Sequence, residues 1–176
     1  ATLAKHFTVV SSEKGRANQM NAGAKMAKGT WLVFVHADTQ FTLNHVKHLI
    51  DEASMHQWGR FNVKLDASGW AFRMIEWFIN QRSRLTGIAT GDQCILVRTL
   101  FFNQLNGFAD IPLMEDVEFS KRAKQLAKPK CLNKTVITSA RRWQTHGVMK
   151  TILLMWKLRW LFWLGIPAEK LAKLYR

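Results

Sequence analysis

The 176-residue sequence has little cysteine, little acid and almost no tyrosine. Its two cysteines, Cys94 and Cys131, lie far apart and match no metal-ligand spacing, which excludes a disulfide framework or a zinc finger. They read as two buried, reduced thiols of a reducing compartment. Twelve Asp and Glu stand against 26 Lys and Arg, a net charge of +14. A chain this basic points to polyanions: nucleic acid, phosphorylated ligands or an anionic membrane face. One Tyr stands beside eight Trp, a residue of membrane interfaces and ligand stacking. The opening ATLAKHFTVVSSEKG has no apolar stretch of signal-peptide length and no initiator Met. It enters a structured pattern at once, as a trimmed piece does. There is no internal repeat and no low-complexity tract. With 48% hydrophobic and 22% charged residues, the length suits one ordered domain with a sizeable core, not two.

The order of elements suggests layers of helix and sheet. Residues 7–10 (FTVV) read as a short strand. Ala17, Met20, Ala24 and Ala27 then recur at helical spacing up to Gly29. The continuous apolar run 31–35 (WLVFV) fits a strand buried on both faces, as in a parallel sheet. It ends in His36, Ala37, Asp38 and Thr39. Thr42 can cap a helix carrying Leu43, Val46, Leu49, Ile50 and Ala53. This β-α-β-α order predicts an α/β architecture. Further strands are predicted over 59–65, 93–97 and 130–138, and helices over 70–79, from Thr99 to Gly107, and from Glu115 to about Leu126.

From Arg141 onward there are eight Lys or Arg and one Glu, half of the whole excess charge. Within this tail, TILLMWKLRWLFWLG is too short to span a bilayer and carries Lys157 and Arg159 inside it. Two readings stay open: an interfacial helix lying on a membrane, or a terminal helix packed on the core with solvated cations.

Chemistry-bearing residues are few. Asp38 follows a strand, where open α/β sheets bind ligands, and with His36 it could hold a divalent cation carrying phosphates, or simply cap a turn. Glu115 and Asp116 open a helix, so they serve either as first-turn caps or as a general base. Arg141 and Arg142 can hold a diphosphate with Trp143 stacked beside them. His146 is a metal ligand or an ordinary surface histidine.

The segments GRANQMNAGAKMAKGTWLVFVHADT, WGRFNVKL, TGIATGDQCILVR, GFADIPLMEDVEFSKR and TSARRWQTHGVMKTILLMWKLR cover nearly the whole chain. Together they resemble the family-2 glycosyltransferases of GT-A fold, most closely the radical-SAM/selenodomain-associated transferase 2 group. The resemblance implies a Rossmann-like, mixed and mostly parallel sheet with flanking helices and a C-terminal amphipathic helix. It implies a catalytic domain over 1–148 and a basic, Trp-rich extension over 149–176. It implies inverting transfer of a sugar from a nucleotide donor, a UDP-sugar, to a lipid, metabolite or glycan acceptor.

Residue by residue, the resemblance makes Asp116 the base, with Glu115 beside it. Arg16, Asn21, Asp38, Arg141, Arg142 and Trp143 fall on the donor side, and Gly91, Asp92 and Gln93 border the acceptor. Asp38, His36 and His146 would ligate a Mg or Mn ion. Here His36 replaces the first acid of the wider fold's Asp-x-Asp motif, which leaves one carboxylate fewer for the metal. The family also opens with a β-α-β unit and a nucleobase-reading acid that these residues lack. Residues 1–5 would be the end of the following helix, about 30 residues into the domain. Such a piece is expected to bind nucleotide poorly. The expected location is cytoplasmic, peripheral on the inner membrane face. The rival readings are a basic module binding membrane or nucleic acid without catalysis, and a nucleotidyltransferase. No zinc-finger spacing or RNA-binding aromatic signature supports nucleic-acid binding.

Overall fold

The computed structural model describes residues 8–175. Five strands form one sheet: β1 (Trp31–Phe34), β2 (Thr39–Gln40), β3 (Trp58–Leu65), β4 (Ile95–Arg98) and β5 (Lys130–Thr138). Their order is β1-β4-β3-β5-β2. Among the described residues eight α-helices accompany it: α1 (Arg16–Met26), α2 (Leu43–Ala53), α3 (Trp70–Thr86), α4 (Thr99–Gln104), α5 (Glu115–Leu126), α6 (Arg141–His146), α7 (Val148–Trp163) and α8 (Ala168–Tyr175).

The mixed α/β architecture is as expected, but the sheet is not mostly parallel. Among the described residues only β3 and β5 pair in parallel; β1 with β4, β4 with β3, and β5 with β2 are antiparallel. Apolar runs report burial, and strand direction leaves no mark on them. The run WLVFV misled for that reason. In β1 only Leu32 is buried, and the strand is an edge of the sheet among the described residues, beside a cleft of about 600 Å³ lined by α1 and β1. The strand expected over 7–10 is not found: Phe7 and residues 1–5 lie outside the described residues, and Thr8, Val9 and Val10 carry no regular structure.

Side chains leave the two faces of β4 into two cores. Ile95 and Val97 join Trp58, Phe101, Phe102, Phe108 and Phe119 under α1, α4 and α5. Leu96 joins Phe61, Leu132 and Val136 under Leu49 and Ala53 of α2. Thr42 opens α2 as expected, its N–H donating to His45 Nδ1 at 3.0 Å. Cys94 is buried, whereas Cys131 is only half-buried.

Helix α3 is pinned to β3 by polar side chains. Asn80 accepts from the Val63 N–H at 2.9 Å and donates back to the Val63 carbonyl at 3.0 Å. Glu76 accepts from the Leu65 N–H at 2.6 Å. Arg60, fully buried, donates to Ser83 Oγ, the Asn80 carbonyl and the Phe61 carbonyl. The helix ends at Gly87, whose φ of 68° is the left-handed cap that a side chain resists.

From Val148 onward the described chain forms two helices rather than one. The chain breaks after α7 at Gly165, and Pro167 precedes α8. Leu158 of α7 and Leu171 of α8 bury completely against Leu113, Met114 and Val117, the residues around the start of α5. Phe72, Ile75 and Ile79 of α3 share a fourth cluster with Val148 and Ile152 of α7. Helices α3 and α7 therefore flank the acidic start of α5.

Candidate active site

The site is built around the first turn of α5. Met114 takes a left-handed conformation, φ 69°, which is strained for a residue with a side chain and turns the chain abruptly into the helix. Glu115 and Asp116 follow. Asp116 Oδ2 accepts the Gly91 N–H at 2.8 Å, and its Oδ1 accepts the Val117 N–H at 2.7 Å. The carboxylate is thereby fixed against the Gly91–Gln93 turn.

Glu115 is 1% exposed and pairs with Arg16, Nε to Oε1 at 3.1 Å, without the alignment of a hydrogen bond. Burial, reinforced by the charge of Asp116, holds its pKa above the usual glutamate range; Arg16 opposes the shift. The other end of the Arg16 guanidinium, Nη2, donates to His36 Nε2 at 2.8 Å. Arginine has no acceptor, so Nε2 must be the unprotonated nitrogen and the ring proton sits on Nδ1. Nδ1 faces Asp92 Oδ1 at 3.6 Å. Burial would raise the Asp92 carboxyl, but its side chain is 56% exposed. The His36 Nδ1–H and the charges of Arg16 and Arg159 prevail, and the net direction is down.

The geometry thus gathers Arg16, His36, Gly91, Asp92, Glu115 and Asp116 into one connected cluster. Gly91 is essential to its closeness. A Cβ there would collide with His36 Nε2 and come within 2.6 Å of Arg16 Nη2. Gln93 is buried behind the cluster, where Oε1 accepts from Thr90 and Nε2 donates to Asn80.

Other expected site residues stand elsewhere. Asn21 clamps a turn: it donates to the Phe108 carbonyl at 2.8 Å and accepts the Phe108 N–H at 3.0 Å. Asp38 is exposed in the turn between β1 and β2. Arg142 lies over the Tyr175 ring, 3.9 Å from its centroid, and ties α8 to α6. Trp143 packs with Leu65 and Ile75, and Arg141 is exposed at the start of α6. Adjacent residues on a helix point about 100° apart, so the two arginines do not converge on one ligand. His146 is exposed, its Nδ1 3.2 Å from the Arg142 carbonyl of its own helix.

Among the described residues, no three His, Cys, Asp or Glu side chains come together as a metal donor set. The lone pair of His36 Nε2 already accepts from a guanidinium, which would repel a cation. The expected ligands His36, Asp38 and His146 do not come together as one donor set among the described residues.

Two residues of the site escaped the sequence reading: Arg82 of α3 and Arg159 of α7. Each lies in the electrostatic field of both Asp116 and Asp92, and Arg82 also in that of Arg159. Burial, then Arg159, lowers the Arg82 pKa to about 9, against the pull of Asp116, which leaves it protonated at neutral pH. The available signal was Arg159 itself, a cation interrupting the apolar run TILLMWKLRWLFWLG.

A family model described as glycosyl transferase family 2 matches residues 2–95, just over half of the sequence. The chain belongs to glycosyl transferase family 2. The family implies a nucleotide-sugar donor and an acceptor. The match includes Arg16, His36 and Gly91–Gln93 and stops before Glu115 and Asp116, so the acidic pair rests on geometry instead. No curated protein matches the sequence. Among the described residues, no helix is long and apolar enough to cross a membrane.

Proposed function

We propose that this family-2 glycosyltransferase is inverting, with Asp116 as its base. The observation that carries the reading is the placement of Asp116. It is held by the Gly91 N–H at the mouth of a charged cluster, between the acceptor-type Gly91–Gln93 turn and the buried Glu115. An acceptor hydroxyl would attack the anomeric carbon from the face opposite the leaving group. Its proton passes to Asp116 as the new C–O bond forms. The old C–O bond breaks with its electron pair on the nucleoside diphosphate. Arg141, exposed on α6, is the residue of the Arg-Arg-Trp element open to that diphosphate. No step is assigned to a metal. A UDP-sugar donor and the radical-SAM/selenodomain-associated branch rest on the motif resemblance.

A donor screen that detects released nucleoside diphosphate tests this. Asp116→Asn should lower turnover at least about 100-fold while donor binding survives. Normal turnover by the variant would remove Asp116 as base.

The partner surface is the outer face of the two helices beside the site. On α7, Met149, Leu153, Trp156, Trp160 and Trp163 are all exposed at alternating spacings of four and three, Trp163 by 71%. On α3, Trp70, Met74, Trp77 and Phe78 are exposed as well. Lys150, Lys157 and Arg141 accompany them in a tail that holds half of the excess charge. This combination fits an anionic bilayer surface. In flotation with phosphatidylglycerol vesicles, wild-type protein should rise with the lipid, and Trp156→Ser/Trp160→Ser/Trp163→Ser should stay behind. Equal flotation of both would return the stripe to a solvent-facing role.

A further inference from the structure

Arg82 carries two buried nitrogens, Nε and Nη2, with no hydrogen-bond partner. Buried N–H groups are almost always paired, and those of a charged guanidinium most of all. Arg60, one strand away, shows what pairing looks like in this protein. Its Nε reaches Ser83 Oγ, its Nη1 the Phe61 carbonyl and Asn62, and its Nη2 the Asn80 carbonyl. The carboxylates near Arg82 do not perform that task. Asp116 has both oxygens on backbone N–H groups, and Asp92 turns toward His36.

Arg159 stands on α7, which packs against α3, and shares the electrostatic field of Asp116 and Asp92 with Arg82. Two like charges that feel each other's field repel. An anion bridging them turns that repulsion into charge-assisted hydrogen bonds. A planar carboxylate is matched by a single guanidinium fork. A tetrahedral phosphate offers oxygens in directions that two forks from two helices can meet at once. Both charges act on Asp116, where the acceptor hydroxyl stands in the proposed reaction.

We infer that Arg82, together with Arg159, forms an anion subsite that binds a phosphate group carried by the acceptor and so sets its hydroxyl at Asp116. This inference rests on the Asp116 reading for its orientation, and the binding itself can be measured without turnover. The phosphate ester belongs to a water-soluble compound or to a lipid headgroup, and α3 and α7 are the two helices whose outer faces carry the exposed Trp residues.

Isothermal titration at fixed ionic strength tests the subsite, with glycerol phosphate in one arm and dihexanoyl phosphatidic acid below its micellar threshold in the other. Arg82→Gln should weaken phosphate binding about tenfold or more. Lys128→Gln, which removes one exposed charge elsewhere, should stay within about twofold of wild type. Arg159→Gln supplies the same readout if Arg82→Gln fails to fold. Saturable binding in the glycerol phosphate arm assigns a soluble acceptor; binding in the lipid arm alone assigns a lipid. Equal losses in Arg82→Gln and Lys128→Gln, or no saturable binding in either arm, would overturn the subsite. Arg82-dependent binding combined with normal turnover of Asp116→Asn would keep the subsite and discard the base.

Discussion

Arg60 and Arg82 are both sequestered cations on neighbouring elements, and the fold treats them in opposite ways. Arg60 points from β3 into α3, where every nitrogen finds an oxygen on Ser83, Asn80, Asn62 or the Phe61 backbone. Arg82, two residues beyond Asn80 on α3, leaves Nε and Nη2 unpaired in the field of a second arginine. The first arrangement holds a helix to a sheet. The second stores unmet hydrogen-bonding capacity next to an acid. Donors that local structure satisfies are part of the scaffold, and donors left over beside a reactive carboxylate are available to a ligand.

The sharpest way to break the comparison is to remove each cation in turn. Arg60→Leu strands Ser83 Oγ and two buried carbonyls and loses the clamp between α3 and β3. It should cost about 3 kcal/mol, a fall in Tm of roughly 6–12 °C for a chain of this size. Arg82→Gln removes an unpaired buried charge. In ligand-free protein its stability should lie within about 0.5 kcal/mol of wild type or above it. Urea melts of the two variants decide the matter. A collapse of Arg82→Gln matching that of Arg60→Leu would make both residues scaffold.

Two glycines repeat the contrast on a smaller scale. A Cβ on Gly59 would collide with the Lys130 carbonyl oxygen, a backbone atom of the paired strand β5, so Gly59→Ala must push two central strands apart. It should cost about 1–3 kcal/mol. A Cβ on Gly91 would meet only the tips of His36 and Arg16, which can swing away. Gly91→Ala should therefore melt near wild type while turnover falls at least about tenfold, because the chain from Glu115 to Asp92 comes apart. Paired thermal melts and donor-turnover assays read both. Equal activity in Gly91→Ala and wild type would show that the His36–Arg16 contact is dispensable.

Much of this was legible in the sequence, for physical reasons. Strands expected over 59–65 and 130–138 appear as β3 and β5 almost to the residue, because alternation and flanking turns mark a half-buried strand well. Helices α2 and α5 were equally plain from their caps and apolar spacing. Strand direction was not, since β1 and β4 carry continuous apolar runs that read alike in either sense. Helix α3 ran seven residues past its expected end, because Asn80, Arg82 and Ser83 look polar in sequence yet face inward. In the site, Arg16, His36, Asp92, Glu115 and Asp116 were found through short motifs. Arg82 lies outside every motif segment and Arg159 only closes one, and the packing of α3 with α7 puts their charges in one field. The Arg141–Arg142 pair shows the reverse error: neighbours in sequence that the α6 helix turns apart.

Glu115 adds a third buried charge and the gentlest test. Its pKa is raised, first by burial and then by the charge of Asp116, with Arg16 opposing. Above the ordinary value of 4.5, the folded protein then binds more protons at this site than the unfolded chain does. Stability must fall as pH rises through that interval, and below it the penalty disappears because both states are protonated. Glu115→Gln has no proton to exchange. The difference in unfolding free energy between variant and wild type, from urea melts between about pH 4 and 8, isolates the residue from every other carboxylate. That difference should move in favour of the variant as pH rises. A flat difference would mean that Arg16 neutralises Glu115 fully. The ion pair would then be a scaffold contact of the Arg60 kind, and Arg82 would stand alone as the unmet charge of the site.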